Sequence, residues 1–302
     1  MRVVFYGAGN LATPSFEAMI RAEHEVLTLV TEPGRADSTG PEVPAGAWRI
    51  PVLEPADPAQ PEVVEAIQRL APDLQVCVGY RRRLPKALLQ LTPSRTIKAH
   101  ASLLPRHRGP EPVAWAILAG HRETGVTTLL MDEGLDTGPT LLASTVEIGL
   151  EETAAELTSR LAQLAAQLLL ETIDGLAAGK LKPVPQASAG ASEAPNLDSS
   201  LASIDWSLSA EVLARRIRVL GPAQAPTASL EGKAVRLLRA TPSEGVTGEP
   251  GVVQSAGFEG ILVTCGQGSA LRVTQLQIEG LRAMSPSAVI SRLRVQRGSR
   301  FA

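Results

Sequence analysis

The chain has 302 residues, of which 44% are hydrophobic and 20% are charged, with a formal net charge of −2 at pH 7. This length favours two domains that each bury a core, and the balanced charge excludes a general attraction to polyanions, so a nucleic-acid partner would need a local basic patch. The start of the chain has no signal-peptide pattern and no apolar run is long enough to span a membrane, so we expect a cytoplasmic protein without membrane segments.

The first half of the sequence alternates short apolar runs with helical patterns. Strands are predicted at residues 2–6, 25–31, 51–53, 74–80, 96–101, 126–132 and 140–148, and helices at about 14–21, 61–70, 85–91 and 153–178. A strand, a glycine-rich turn, a helix and a second strand within about thirty residues are typical of a βαβ unit. The pattern therefore predicts an α/β fold with a Rossmann-like, mostly parallel sheet.

The character of the sequence changes near residue 200. Residues 180–200 are rich in Pro, Ala and Ser and are interpreted as a linker. A basic amphipathic helix at 210–219 and short strands at 230–240, 251–254, 260–265 and 270–277 follow. Short strands separated by glycine turns are typical of a small β-barrel of the OB type. We expect one domain at 1–200, including the linker from about 180, and a second at 201–302.

A glycine-rich turn follows the first strand. Gly7-x-Gly9-x-x-Ala12 matches the dinucleotide-binding fingerprint, and Glu32 lies near the position of a ribose-binding acid. The alternative is that the glycines only turn a strand into a helix, because Pro14 places the predicted helix start later than the fingerprint requires. The motif alone leaves both interpretations open.

His100 and Asp136 are the best candidates for catalysis. His100 ends a predicted strand, and ligands of parallel sheets bind outside the carboxyl ends of strands. A neutral imidazole accepts a proton near pH 7, and a neighbouring carboxylate would fix its tautomer. The structural alternative is a histidine bonded to a backbone carbonyl and an aspartate that caps a turn.

Two other groups of residues have weaker signals. Cys77 and Cys265 lie in apolar runs without metal-ligand spacing and are expected to be buried thiols. Arg81-Arg82-Arg83 follows a strand end and would suit either an anionic ligand or a solvated turn.

A long ordered string of residues resembles a known family. His100-x-Ser102-Leu103-Leu104-Pro105-Arg106-x-Arg108-Gly109, and later Met131-Asp132-Glu133-Gly134-Leu135-Asp136-Thr137-Gly138, are similar to the formyltransferases that use 10-formyltetrahydrofolate. Ile204-Asp205-Trp206 and Gly248-x-Pro250-Gly251 resemble the carboxyl-terminal domain of the methionyl-tRNA formyltransferases. The resemblance covers nearly the whole chain.

The resemblance implies formyl transfer from 10-formyltetrahydrofolate to the α-amine of methionyl-tRNA, without a metal ion and without NAD. It assigns His100 as the base and Asp136 as the residue that orients it. The folate-contacting segment falls on Ser102, Leu103, Leu104 and Pro105. An attacking amine must lose a proton, and the developing oxyanion must be stabilised.

The sequence departs from the family at Lys98, where an asparagine that binds the formyl oxygen is usual. We expect Lys98 to act as a nonstandard oxyanion donor, since an ammonium can donate to a developing negative charge. Two alternatives stay open, namely a diverged formyltransferase that uses an amino sugar or water as acceptor, and a silent paralogue that binds folate or tRNA.

The residues expected to bind tRNA are cationic. The family's basic loop corresponds to residues 33–49, which carry Arg35 and Arg49 as cations. The predicted 210–219 helix adds Arg215, Arg216 and Arg218, which would contact phosphates. We expect methionyl-tRNA and folate to be the partners of a monomeric protein.

Overall fold

A computed structural model describes residues 1–33, 45–92, 96–222 and 224–302. The chain forms two compact units, which are each made of several segments. The first unit contains Met1–Ala116, Glu123–Glu147 and Leu157–Asn196, and the second contains Ile117–Arg122, Ile148–Glu156 and Leu197–Ala302. Within the described ranges, no helix is both long and apolar enough to cross a membrane.

A seven-stranded sheet organises the first unit. Its strands are β1 (Arg2–Gly7), β2 (Glu25–Val30), β3 (Val52–Leu53), β4 (Leu74–Val78), β5 (Thr96–His100), β6 (Glu123–Leu130) and β7 (Thr140–Glu147). They lie in the order β3-β2-β1-β4-β5-β6-β7, with β1 to β5 parallel to one another and β6 antiparallel to both of its neighbours, β5 and β7. The order 3-2-1-4-5 is that of Rossmann-like folds, so the predicted mostly parallel α/β sheet is confirmed.

The sheet is accompanied by helices α1 (Gly9–Arg21), α2 (Pro61–Arg69), α3 (Lys86–Leu89), α4 (Pro112–Leu118) and α5 (Ala154–Ala177). The start of α5 is stabilised by a capping box, in which the Glu156 carboxylate accepts from Thr153 N at 2.8 Å and Glu156 N donates to Thr153 Oγ1 at 3.3 Å. The backbone and side-chain donors of Thr153, together with Arg239, lower the pKa of Glu156 to about 2.

The predicted start of the first helix at Pro14 is wrong. Helix α1 begins at Gly9 and contains Pro14 in its interior. A proline removes one backbone hydrogen bond from a helix. The buried face formed by Ala12, Phe16 and Met19 packs the helix into the core, and this burial outweighs the local loss.

The second unit is built around an antiparallel sheet. It contains α6 (Ala210–Val219), β8 (Thr227–Leu230), β9 (Lys233–Glu244), β10 (Val253–Gly257), β11 (Gly260–Thr264), β12 (Ser269–Ile278), β13 (Ala283–Met284) and α7 (Pro286–Leu293). The strand order is β10-β11-β12-β9-β8, and β13 pairs with β12. Helix α7 was not predicted from the sequence.

The carboxyl-terminal residues connect the two edge strands of this sheet. Leu230 in β8 bridges Phe301, and Val252, next to β10, bridges Arg300. Val253 N also donates to the Ser299 carbonyl at 2.8 Å. These hydrogen bonds close the sheet, as the prediction of a small barrel requires.

The strand predicted at 230–240 is present as β9, and it forms a hairpin with β8, which was not predicted. Glu231 and Gly232 form its turn with φ angles of 49° and 72°. Two consecutive residues with positive φ are typical of a two-residue hairpin turn of type I′.

Candidate active site

A cavity of about 1140 Å³ lies in the first unit where its parallel strands end. Its lining includes Ala8 after β1, Thr31 after β2, Gly79 after β4 and His100 at the end of β5. This is the position at which open parallel sheets bind ligands. The predicted catalytic residues Lys98, His100 and Asp136 all line this cavity.

The fold brings these three residues together from two segments. Lys98 and His100 are two residues apart on β5, and side chains at this spacing project from the same face of a strand. Asp136 lies in the loop between β6 and β7, with a left-handed φ of 56°. The side chains of all three residues are largely buried, and that of Asp136 is 2% exposed.

Asp136 is held by donors on several sides. Its Oδ1 accepts a hydrogen bond from Lys98 Nζ, and its Oδ2 accepts one from Gly109 N at 3.0 Å. His100 Nδ1 lies 3.5 Å from the same Oδ2. A buried carboxylate with a cation and a backbone N–H as partners is well compensated for its loss of water.

The pKa values of the three groups reflect this pairing. Burial acts to raise the pKa of Asp136, but His100, Lys98 and Gly109 outweigh burial and the pKa is lowered. Burial likewise acts to lower the pKa of Lys98, but the Asp136 carboxylate outweighs it and the pKa is raised. The pair is therefore an ammonium and a carboxylate at neutral pH.

The pKa of His100 is lowered, which favours its neutral form. Burial, followed by the Lys98 charge, lowers its pKa, and the attraction of Asp136 opposes both. Its Nε2 lies 2.9 Å from the His107 carbonyl oxygen. A carbonyl only accepts hydrogen bonds, so Nε2 must carry the proton and the neutral ring has its lone pair on Nδ1, which faces Asp136.

The segment expected to contact folate forms a tight turn directly after His100. Thr127 Oγ1 donates to the Ser102 carbonyl at 2.7 Å and accepts from Leu104 N at 3.1 Å. Ser102 Oγ donates to the Arg106 carbonyl at 2.7 Å. The cavity wall itself contains Ala101, Gly109 and Pro110 and does not include Ser102, Leu103, Leu104 or Pro105.

The segment 180–200 was interpreted as a linker. Its residues 186–194 are hydrogen-bonded to the turn that follows His100 and to the loop that carries Asp136. The Gln186 side chain accepts from Arg108 and donates to the carbonyls of Asp136 and Gly138. Further along, His107 N donates to Ser192 Oγ at 2.9 Å, and Ala194 N donates to the Arg108 carbonyl at 2.7 Å. This role was not predicted from the sequence, because a glutamine among Pro and Ala residues is a weak signal for it.

The glycine turn after β1 has a packing explanation. A Cβ on Gly7 would lie 2.5 Å from the Phe5 ring, 2.9 Å from Ala12 Cβ and 2.9 Å from the Val78 carbonyl, so no larger residue fits there. The Glu32 carboxylate accepts from Arg81 N at 2.7 Å. Both observations support the structural alternative for this motif.

The cationic residues expected to bind tRNA are distributed over both units. Arg49 is exposed in the first unit, and Arg35 lies outside the described residues. On α6, Arg218 donates to the Gly149 carbonyl at 2.9 Å, Arg215 pairs with Glu211 at 3.4 Å and Arg216 approaches the Ser203 carbonyl at 3.5 Å. These α6 arginines thus already have contacts within the second unit.

Both cysteines are buried free thiols, as predicted. Burial raises the pKa of Cys77 and of Cys265 to about 11 in each case. Thiols with such values are protonated at neutral pH and are poor nucleophiles. In the described part of the chain, no cluster of three or more His, Cys, Asp or Glu residues is arranged to hold a metal ion.

The match to family models agrees with this architecture. Residues 1–173 match the formyl transferase family, and residues 196–294 match the formyl transferase carboxyl-terminal domain. The chain belongs to the formyl transferase family and is therefore an enzyme of the transferase class.

Within this family, the chain is similar to methionyl-tRNA formyltransferases over almost its whole length. The chain is 39% identical to the methionyl-tRNA formyltransferase of Citrifermentans bemidjiense, over 99% of this chain and 95% of that protein. It is also 39% identical to the methionyl-tRNA formyltransferase of Geobacter sulfurreducens, over 100% of this chain and 96% of that protein. The crystal structure of HypX from Aquifex aeolicus in complex with tetrahydrofolic acid has a similar fold, with a TM-score of 0.66 and 21% identity over 97% of this chain and 47% of that one.

Proposed function

We propose that this enzyme transfers the formyl group of 10-formyltetrahydrofolate to the α-amine of methionyl-tRNA. The observation that carries the proposal is the buried group of Lys98, His100 and Asp136 in the cavity of a formyl transferase fold. The full-length similarity to methionyl-tRNA formyltransferases supports this acceptor over an amino sugar or water.

His100 is the base in this proposal. As the α-amine attacks the formyl carbon, a nitrogen–carbon bond forms and the amine becomes acidic. His100 Nδ1 accepts the proton, directly or through one water. The resulting imidazolium donates from Nε2 to the His107 carbonyl and faces the Asp136 carboxylate with Nδ1, so both of its N–H groups have acceptors.

Lys98 is the proposed oxyanion donor. One N–H of its ammonium is bonded to Asp136, and two more are available to the formyl oxygen as the carbon becomes tetrahedral. Because Asp136 holds the ammonium in place, its charge needs little reorganisation during the reaction. Collapse of the tetrahedral carbon then breaks its bond to the folate nitrogen, which takes up the proton that His100 accepted.

The folate and the reacting end of the acceptor would share the cavity, and the rest of the tRNA would lie outside it. A cavity of about 1140 Å³ exceeds the roughly 300–1,000 Å³ of ordinary small-molecule pockets, so it has room for a folate and the end of an acceptor. Ser102, Leu103, Leu104 and Pro105 are proposed to contact the folate next to the wall residue Ala101. We assign tRNA phosphates to Arg35, Arg49, Arg215, Arg216 and Arg218, and propose a tRNA-binding domain at 201–302.

The test is a formylation assay of the purified full chain. Methionyl-tRNA and 10-formyltetrahydrofolate are supplied, and formylmethionine is measured after deacylation, with formate release as the measure of transfer to water. His100→Asn is the inactive control. Folate binding without formylmethionine would refute the proposed acceptor, and activity only in Lys98→Asn would identify a decayed enzyme.

A further inference from the structure

The side-chain amide of Gln186 makes four short hydrogen bonds next to the catalytic group. Its Oε1 accepts from Arg108 Nε at 3.0 Å and from Arg108 Nη2 at 2.7 Å. Its Nε2 donates to the Asp136 carbonyl at 2.8 Å and to the Gly138 carbonyl at 2.7 Å. The guanidinium only donates and the carbonyls only accept, so the orientation of the amide is fixed by chemistry.

We propose that Gln186 is a positioning residue, which holds the Asp136 loop against the turn that carries Arg108 and Gly109. The two segments are 27 residues apart in sequence at their direct contact, Gly109 N to Asp136 Oδ2 at 3.0 Å. Gln186 adds a second connection beside the first. Together these bonds fix Asp136 by both its carboxylate and its backbone carbonyl.

The backbone of Asp136 explains why such support is needed. Its φ of 56° lies in the left-handed region, which costs free energy for any residue with a side chain. Surrounding contacts must therefore stabilise this conformation. The Gln186 bond to the Asp136 carbonyl stabilises it directly, and the bond to Gly138 fixes the next turn of the loop.

Only an amide satisfies both sides of this contact. A carboxylate at position 186 would still pair with Arg108 but would turn an oxygen toward the two carbonyls and lose both donors. A leucine has a similar size and loses all four hydrogen bonds. The pair Gln186→Glu and Gln186→Leu therefore separates the Arg108 side of the contact from the Asp136 side.

The inference rests on the proposed function, in which Asp136 holds the Lys98 ammonium and faces the imidazolium that His100 forms. Gln186 does not line the cavity and would affect the rate through its contact with Asp136. Misplacing a catalytic group by about 1 Å can cost on the order of a hundredfold in rate. We therefore expect Gln186→Leu to lower kcat by roughly tenfold to a hundredfold with little change in the KM for folate.

The experiment combines kinetics with a double-mutant cycle. Gln186→Leu is measured alone and in an Asp136→Asn background, with Gln167→Leu as the matched control. Gln167 is exposed on α5, and its amide donates to the Glu171 carboxylate at 3.0 Å. If Gln186 acts through Asp136, its loss costs less than threefold further in the Asp136→Asn background. Equal costs in both backgrounds would overturn the proposal.

A second measurement does not depend on activity. The Gly109 amide, which donates to the Asp136 carboxylate, is followed by NMR in each folded variant. We expect its proton resonance to move in Gln186→Leu and in Gln186→Glu, and to stay in place in Gln167→Leu. An unmoved resonance in the Gln186 variants would refute positioning. A moved resonance in a protein that forms no formylmethionine would leave this inference standing and refute the proposed function.

Discussion

Replacing Lys98 by methionine tests how the buried charges stabilise the protein. Lys98 and Asp136 have side chains that are 14% and 2% exposed, so solvent screens their interaction little. Removing one partner of a buried pair typically costs about 3–5 kcal/mol, because the other charge stays buried. Asp136 keeps Gly109 N as a donor, and loss of the Lys98 charge raises the pKa of His100, which favours an imidazolium beside the carboxylate. We therefore expect the lower end, about 3 kcal/mol.

Differential scanning calorimetry of the full chain measures this loss. About 3 kcal/mol corresponds to roughly 6–12 °C in the melting temperature of a domain of this size. The pKa of Asp136 is lowered, so its contribution is present above an unfolded value of about 3.9 and is lost as pH falls through the folded value. The pKa of Lys98 is raised, so its contribution is present below about 10.4 and is lost as pH rises through the folded value. The difference between wild type and Lys98→Met is therefore largest between these limits.

A second variant separates an unpaired charge from a loss of packing. Asp136→Asn removes the charge, keeps an acceptor for Gly109 N and tolerates the left-handed backbone. Adding it to Lys98→Met should restore most of the lost stability, because no buried charge is left without its partner. A double variant as unstable as the single one, or a single variant within 1 °C of wild type, would refute the argument.

Three further predictions concern pH, chemistry and packing. Lys98→Asn should move the acid limb of the kcat/KM profile to higher pH, because the Lys98 charge helps to lower the pKa of His100, whereas Lys98→Arg should leave it unmoved. His100→Asn should reduce kcat by on the order of 10²–10⁴ in the formylation assay, with unchanged binding of 5-formyltetrahydrofolate by calorimetric titration. Gly109→Ala should lower the melting temperature, because its φ is 131° and a Cβ would lie 2.6 Å from the Ala194 carbonyl, while Gly257→Ala, with no atom within 4 Å, should not.

The parallel sheet could be predicted because its strands are apolar runs bounded by turns. The start of helix α1 could not be predicted in this way. Pro14 suggests a helix start locally, whereas the burial of Phe16 and Met19 depends on the tertiary structure. Strand β8 was missed for a different reason, because only two of its four residues, Ala228 and Leu230, are apolar.

The proposed catalytic group was only partly predictable. His100 and Asp136 stand in a recognisable motif, but no spacing rule places Lys98 against Asp136. The role of residues 180–196 was harder to predict, because this segment forms no helix or strand of its own and bonds to turns in other parts of the unit. Its hydrogen bonds to Arg108, Asp136 and Gly138 have no periodicity that a sequence could display.

Lys98 gives His100 an environment that an asparagine would not. The His107 carbonyl keeps the proton of the neutral ring on Nε2, so the basic nitrogen is Nδ1, 3.5 Å from the Asp136 carboxylate. A lone carboxylate at that distance would favour the imidazolium, which cannot accept a proton. The Lys98 ammonium offsets the Asp136 charge, so the imidazole can remain neutral beside it. In the proposed mechanism, the cation that would bind the oxyanion therefore also keeps the proposed base able to accept a proton.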